Sequence, residues 1–236
     1  VFVKTIGAAT PKMVENPQLL KEFTQPSAKI CTAHFSDAFA VQFSGEVGEN
    51  APQIGSVTEQ AGPDDSISIY GTGFEGADIY ACGLVNGKIE TRKLEVTLQR
   101  EDFANAIISP DFDYGMYIIW IEGKNGELSA PVRINAPRLT FLSSIKASEN
   151  AELRVYGRFL TTNNADEADA KSYVYLINGD KSYEATVLEA TPYRLKIKLP
   201  KGLKDGENYK ILVHNGHGGD YGWSNPLEIE YKADAE

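Results

Sequence analysis

The chain has 236 residues, 24% of them charged and 10% aromatic, which suits about two folded domains and neither a disordered nor a membrane chain. Its 33 acidic residues outnumber 23 scattered basic ones, for a net charge of −10. A phosphate-neutralising groove needs clustered Lys and Arg, so nucleic acid and anionic membrane surfaces are excluded as expected partners. Neutral glycans, cations and basic protein patches stay open. No apolar run approaches the roughly 18 residues of a membrane-crossing helix, so no membrane insertion is expected. No cofactor is expected either. The start at Val1-Phe2-Val3 lacks a basic stretch followed by an apolar one, so a leader has been removed or the chain is an excised piece.

Residues 1–50 form a short mixed segment. Alternation predicts strands at Val1–Ile6, Ala28–Phe35 and Ala38–Phe43, with a short helix around Glu15–Phe23. The segment is either a partial sandwich or a set of strands packed on the next domain.

Residues 51–135 and 136–232 form an internal repeat. Each copy opens on Ala-Pro, at Ala51-Pro52 and Ala136-Pro137. Each runs through an alternating strand into glycine, Ser66-Ile-Ser-Ile-Tyr-Gly71 and Glu152-Leu-Arg-Val-Tyr-Gly157. Period-two alternation is what a strand with one face on a core requires. Asn86-Gly87 and Asn178-Gly179 mark hairpins, and overlaying them puts Cys82 on Val174. Phe103–Pro110 lies over Tyr193–Pro200, and each copy closes on a strand and a Ser-x-Pro, at Ser129-Ala-Pro131 and Ser224-Asn-Pro226. About seven short strands per repeat, separated by turn signals, predict an all-β chain of two tandem Ig-like β-sandwiches. The near-absent linker at Asn135–Pro137 predicts a fairly fixed angle between them.

The two cysteines, Cys31 and Cys82, allow a disulfide that would staple the N-terminal segment to the first sandwich. Two buried thiols are the favoured alternative, because the overlay gives Cys82 an inward position. Trp120 alternates outward from Tyr117, Ile119 and Ile121, and so is expected to be exposed or at an interface.

The candidate ligand site is the long hairpin His214-Asn-Gly-His-Gly-Gly-Asp-Tyr-Gly-Trp-Ser224, about four residues longer than its counterpart Glu122–Ser129. Glycines let the backbone approach a ligand. Tyr221 and Trp223 can stack on a sugar ring, with Asn215, His217 and Asp220 bonding its hydroxyls. The competing reading is a rigid loop whose Trp223 packs on the sandwich. A metal site at His214-x-x-His217 lacks a third strong ligand except Asp220, so no metal is assigned. The run Asn163–Asp169 lacks the ligand spacing of a calcium loop. Asp111 and Asp113 sit in a turn with nothing to pre-organise them, so no catalytic residues are assigned.

The opening Pro52-x-Ile54-x-x-Val57, Gly62 and Ile67-x-Ile69-x-Gly71-x-Gly73-Phe74 resembles the IPT/TIG family of Ig-like domains. The second repeat keeps Pro137, Leu139, Val155, Gly157 and Phe159, replaces the second glycine with Arg158, and carries an insertion at 161–170. Residues 129–137 and 214–224 also resemble tandem Ig-like modules ahead of parallel β-helix catalytic domains in bacterial polysaccharide-degrading enzymes. That resemblance implies a secreted, extracellular or cell-surface protein whose partner is a polysaccharide or a catalytic domain of the same protein. The leading expectation is therefore a non-catalytic accessory region, binding glycan weakly or acting as a rigid spacer. The alternative is a surface adhesion or glycan-capture protein without an enzyme. An independent polysaccharide hydrolase or lyase ranks third.

Overall fold

The computed structural model describes residues 43, 45–161, 172–216 and 219–233. The strands and helix expected within residues 1–43, apart from Phe43 itself, together with Cys31, His217 and the run 163–169, lie outside the described residues. Contacts divide the chain at Asn135/Ala136 into two compact units.

The first unit is built from β1 (Gln53–Val57), β2 (Ser66–Thr72), β3 (Asp78–Val85), β4 (Lys88–Lys93), β5 (Glu95–Gln99), β6 (Phe103–Ile107), β7 (Tyr117–Glu122) and β8 (Val132–Ile134). These form two four-stranded antiparallel sheets, in the orders β1-β2-β6-β5 and β4-β3-β7-β8. Alternation sends Ile67, Ile69, Ala104 and Ala106 from one sheet and Ile79, Ala81, Ile119 and Ile121 from the other into a single core. That shared core is what makes the pair a sandwich. Each fully buried isoleucine contributes about 1.5–3 kcal/mol. Tyr117 joins them, donating its hydroxyl to the Asp113 carbonyl at 3.0 Å, and burial pushes its phenol well above the ordinary range. Asn86 and Gly87, at φ of 50° and 73°, make the two-residue hairpin between β3 and β4. Ahead of β1, Val47 bridges Leu128, and Asn50 N–H donates to the Glu127 carboxylate at 2.6 Å.

The second unit runs β9 (Arg138–Leu142), β10 (Lys146–Ala147), β11 (Glu152–Arg158), β12 (Tyr173–Asn178), β13 (Lys181–Thr191), β14 (Arg194–Lys198), β15 (Asn208–His214) and β16 (Leu227–Tyr231). Its strands are ordered β10-β16-β15-β12-β13-β14-β11-β9, antiparallel throughout except for β10 beside β16. The 11-residue β13 pairs with β12 through its first half and with β14 through its second. In the first unit the same course is split into β4 and β5 around Leu94. Leu153, Val155, Leu195 and Ile197 face Val174, Leu176, Ile211 and Val213 across the core. Among the described residues the chain is all-β, two β-sandwiches of the Ig-like kind.

The repeat motifs have physical causes. In each Ser-x-Pro the serine is fully buried and folds back on the closing strand. Ser129 Oγ accepts from Ile121 N–H at 2.9 Å, and Ser224 Oγ from Val213 N–H at 3.0 Å. Each Tyr-Gly glycine passes against the first strand of its own repeat. A Cβ on Gly71 would overlap the Gln53 carbonyl, and one on Gly157 the Arg138 carbonyl.

Strand pairing corrects the overlay read from sequence. Tyr80 pairs with Trp120, and Tyr175 occupies the same place opposite Leu212. Tyr80 lies six residues before Asn86, whereas Tyr175 lies three before Asn178. The Asn-Gly turns therefore do not coincide, and an odd offset moves a residue to the other face of its sheet. Cys82 points away from the core with Tyr80, although it is only 1% exposed. Trp120 does point outward, but it is buried rather than exposed, 5.9 Å from the Tyr80 ring and 5.4 Å from Phe43. Phe103 matches Arg194 rather than Tyr193, since Tyr70 pairs with Phe103 and Tyr156 with Arg194. Likewise Leu160, not Phe159, fills the place of Phe74. Phe159 takes the left-handed place of Gly73, at φ 52° against 77°.

Candidate functional site

The long hairpin is built as packing. After β15, His214 bridges to Trp223, and a 3-10 turn at Gly219–Gly222 carries Asp220 and Tyr221. The turn lets the chain double back over the outer face of β12 and β15. There Trp223 packs on Tyr175 and Leu212, its ring 5.8 Å from Tyr175 and 4.9 Å from His214, edge-on to both. Trp223 is 0% exposed, and so is Asn215, whose Nδ2 donates to the Phe159 carbonyl at 3.2 Å. His214 is buried too, its Nδ1 accepting from Gly216 N–H at 2.9 Å.

Of the five expected ligand residues, Trp223 is therefore buried with no open face, and the Asn215 amide donates inside the fold. Burying an indole against two apolar neighbours outweighs leaving them in water for an intermittent ligand. Tyr221 is half-buried, and His217 lies outside the described residues.

Open aromatic surface sits elsewhere: besides the exposed Tyr114 and Tyr193, each sandwich carries a ring pair built on an equivalent outward tyrosine, whose partner lies on the β6 side in the first and on the β9 side in the second. In the first, Tyr70 on β2 is 49% exposed and lies across from Phe103 on β6, ring centres 4.9 Å apart and tilted by 54°. Beside them the Ser68 hydroxyl donates to Asn105 Oδ1 at 2.9 Å. In the second, Tyr156 on β11 stacks with Phe141 on β9, at 4.5 Å and 17°, with Phe141 54% exposed. Both tyrosines directly precede the close-approach glycine, and both stand on the face opposite the core. Alternation in Ser66–Gly71 and Glu152–Gly157 carried this signal, since Tyr70 and Tyr156 follow inward Ile69 and Val155. A flat ring beside hydroxyl and amide groups can take the apolar face of a sugar while neighbours bond its hydroxyls.

Other chemistry is sparse. Among the described residues no three His, Cys, Asp or Glu side chains gather as metal ligands do. Asp113 accepts Gly87 N–H at 2.8 Å and so braces the β3–β4 turn. An open depression of about 560 Å³ on the second unit is lined by Ser172, Tyr173, Glu184 and Thr186, without a nucleophile–base pair.

No protein-family model and no curated protein matches the chain. Solved structures do show a likeness. The Bacteroides ovatus mixed-linkage glucan utilization locus SGBP-B, in complex with a mixed-linkage heptasaccharide, is 15% identical with a TM-score of 0.29, over 74% of this chain and 44% of that one. The surface glycan-binding protein PbSGBP-B from Prevotella bryantii is 10% identical with a TM-score of 0.32, over 78% and 42%. The gamma-CGTase from alkalophilic Bacillus clarkii is 13% identical with a TM-score of 0.33, over 79% and 25%. The chain therefore spans less than half the length of each of these neighbours.

Proposed function

We propose that this chain is a non-catalytic glycan-capture region working outside the cell, and that its sugar contacts are the outward ring pairs Tyr70/Phe103 and Phe141/Tyr156. The observation that carries the reading is an outward tyrosine at one position of both sandwiches, each packed on a second aromatic ring, with Tyr70 and Phe141 well exposed. Core packing does not explain it, because these rings stand on the faces away from each core. A spacer alone needs no exposed aromatics, and leaving them in water has a cost that a ligand offsets. Capture asks for no catalytic domain in the same protein.

The test is retention on a panel of immobilised polysaccharides, comparing the chain with Tyr70→Ala, Phe141→Ala and Tyr221→Ala. Each of the first two is expected to lose about tenfold in affinity for the glycan its sandwich holds, equivalent to about 1.4 kcal/mol. Tyr221→Ala is expected to bind as the parent does. Binding that survives Tyr70→Ala with Phe141→Ala combined, or that is lost in Tyr221→Ala alone, would return the site to the long hairpin.

A further inference from the structure

We infer that the ring pair of the second sandwich takes an anionic polysaccharide, one carrying uronate or sulfate groups, while that of the first takes a neutral one. The inference rests on the glycan-capture reading and assigns its ligand class. The two outer faces are the same lattice of positions with different chemistry. Around Tyr70 the register places Ser66, Ser68 and Asn105, all uncharged, with one charge of each sign farther out, Arg100 across from Phe103 and Glu95 across from Ile107. At the matching places around Tyr156 stand Glu152, Arg154 and Lys196, and Phe103 and Ile107 give way to Arg194 and Lys198. Four cations thus face two carboxylates, Glu152 and Glu189, on a chain whose net charge is −10.

The two carboxylates are already engaged. Lys196 Nζ lies 2.8 Å from Glu152 and Arg194 3.2 Å from Glu189. Lys196, with Lys198 and Arg154 behind it, holds the Glu152 carboxyl below the usual carboxylate range. Arg154 sits directly across from Lys196, and like charges directly opposite on a sheet repel. A bound anion beside the rings would relieve that repulsion. Alternation along the strands brings Arg154 and Tyr156 to one face, so ring stacking and charge neutralisation can act on one sugar unit.

A single-stranded nucleic acid also combines bases with negative charge, but its platforms offer successive rings along a basic groove. Here the two rings stack on each other and so leave room for one partner. The long phosphate run would also meet an acidic chain. A glycan with intermittent charges suits the face better.

The test measures binding of the whole chain to polygalacturonate, chondroitin sulfate, fully methyl-esterified polygalacturonate, a neutral β-glucan and poly(dT). The variants are Arg154→Gln combined with Lys196→Gln, and Tyr70→Ala. We expect at least one acidic polysaccharide to bind, with affinity falling about tenfold in the double variant and falling again as salt is raised. Tyr70→Ala should instead lower the affinity for a neutral glycan about tenfold. The double variant should be about as stable as the parent, since it removes a repulsive pair together with the surface Lys196–Glu152 ion pair, which is worth little. Neutral binding with no acidic preference overturns the charge assignment and leaves glycan capture standing. Binding of poly(dT) as tight as of either acidic glycan overturns the assignment in favour of a nucleic-acid surface. If none of the four polysaccharides binds, the glycan-capture reading falls with it.

Discussion

Trp223→Ala is expected to destabilise the second sandwich by about 3–5 kcal/mol, the range for truncating a fully buried large aromatic. The ring is 0% exposed and forms a small cluster with Tyr175 and Leu212 on the outer face of β12 and β15. Its removal opens a cavity between the hairpin and the sheet, and leaves the buried His214 ring without its edge contact. Because the two units have separate cores, denaturant unfolding followed by circular dichroism should show the loss in the second sandwich's transition. The first should keep its midpoint. A Trp223→Phe variant should recover part of the loss. An unshifted unfolding curve for Trp223→Ala, with glycan binding abolished, would mean that the indole serves a ligand instead.

A comparable loss, about 3–5 kcal/mol, is expected in the first sandwich from Asn135→Ala. Asn135 is 1% exposed and works as a three-way staple. Its Nδ2 donates to the Ala61 and Gly115 carbonyls, both at 2.6 Å, and its Oδ1 accepts from Ala61 N–H at 3.1 Å. Alanine would leave these groups without that partner, at about 1–3 kcal/mol for each one that water cannot reach. The residue also sits at φ 62°, a left-handed geometry that costs a residue with a Cβ roughly 1–2 kcal/mol and that asparagine tolerates better. Asn135→Gly separates the two causes, since it keeps the backbone and loses the bonds. It should be less damaging than alanine by about 1 kcal/mol. Equal unfolding midpoints for all three proteins would contradict the staple.

Much of the fold was legible because alternation and turn chemistry are local. The Ser66–Gly71 and Glu152–Gly157 strands, the Asn86-Gly87 hairpin and the closing Ser-x-Pro all do in the structure what their residue types require. Legibility failed where a claim depended on what folds back on what. Trp223 can be read from sequence as a sugar platform or as a packing residue, because only the path of the 3-10 turn decides which surface it meets. Trp120 does point outward, yet alternation is silent on what covers an outer face.

Cys82 went to the wrong face for a different reason. The two β-hairpins differ in length by an odd number of residues, so an overlay anchored on Asn-Gly inverts every side chain before it. Phe159 shows the same limit at the backbone: a phenylalanine in a glycine's left-handed place has no sequence signature. The exposed ring pairs could have been found. They needed the outward half of each alternating strand to be read as carefully as the inward half.

The central claim, that ligand meets the outer sheet faces and not the long hairpin, is tested most directly by hydroxyl-radical footprinting. The whole chain would be labelled with and without a polysaccharide that the retention panel selects. Protection is predicted at Tyr70 and Phe103, or at Phe141 and Tyr156, with labelling of Tyr221 unchanged. Protection confined to Tyr221 and its neighbours in the hairpin would contradict the account.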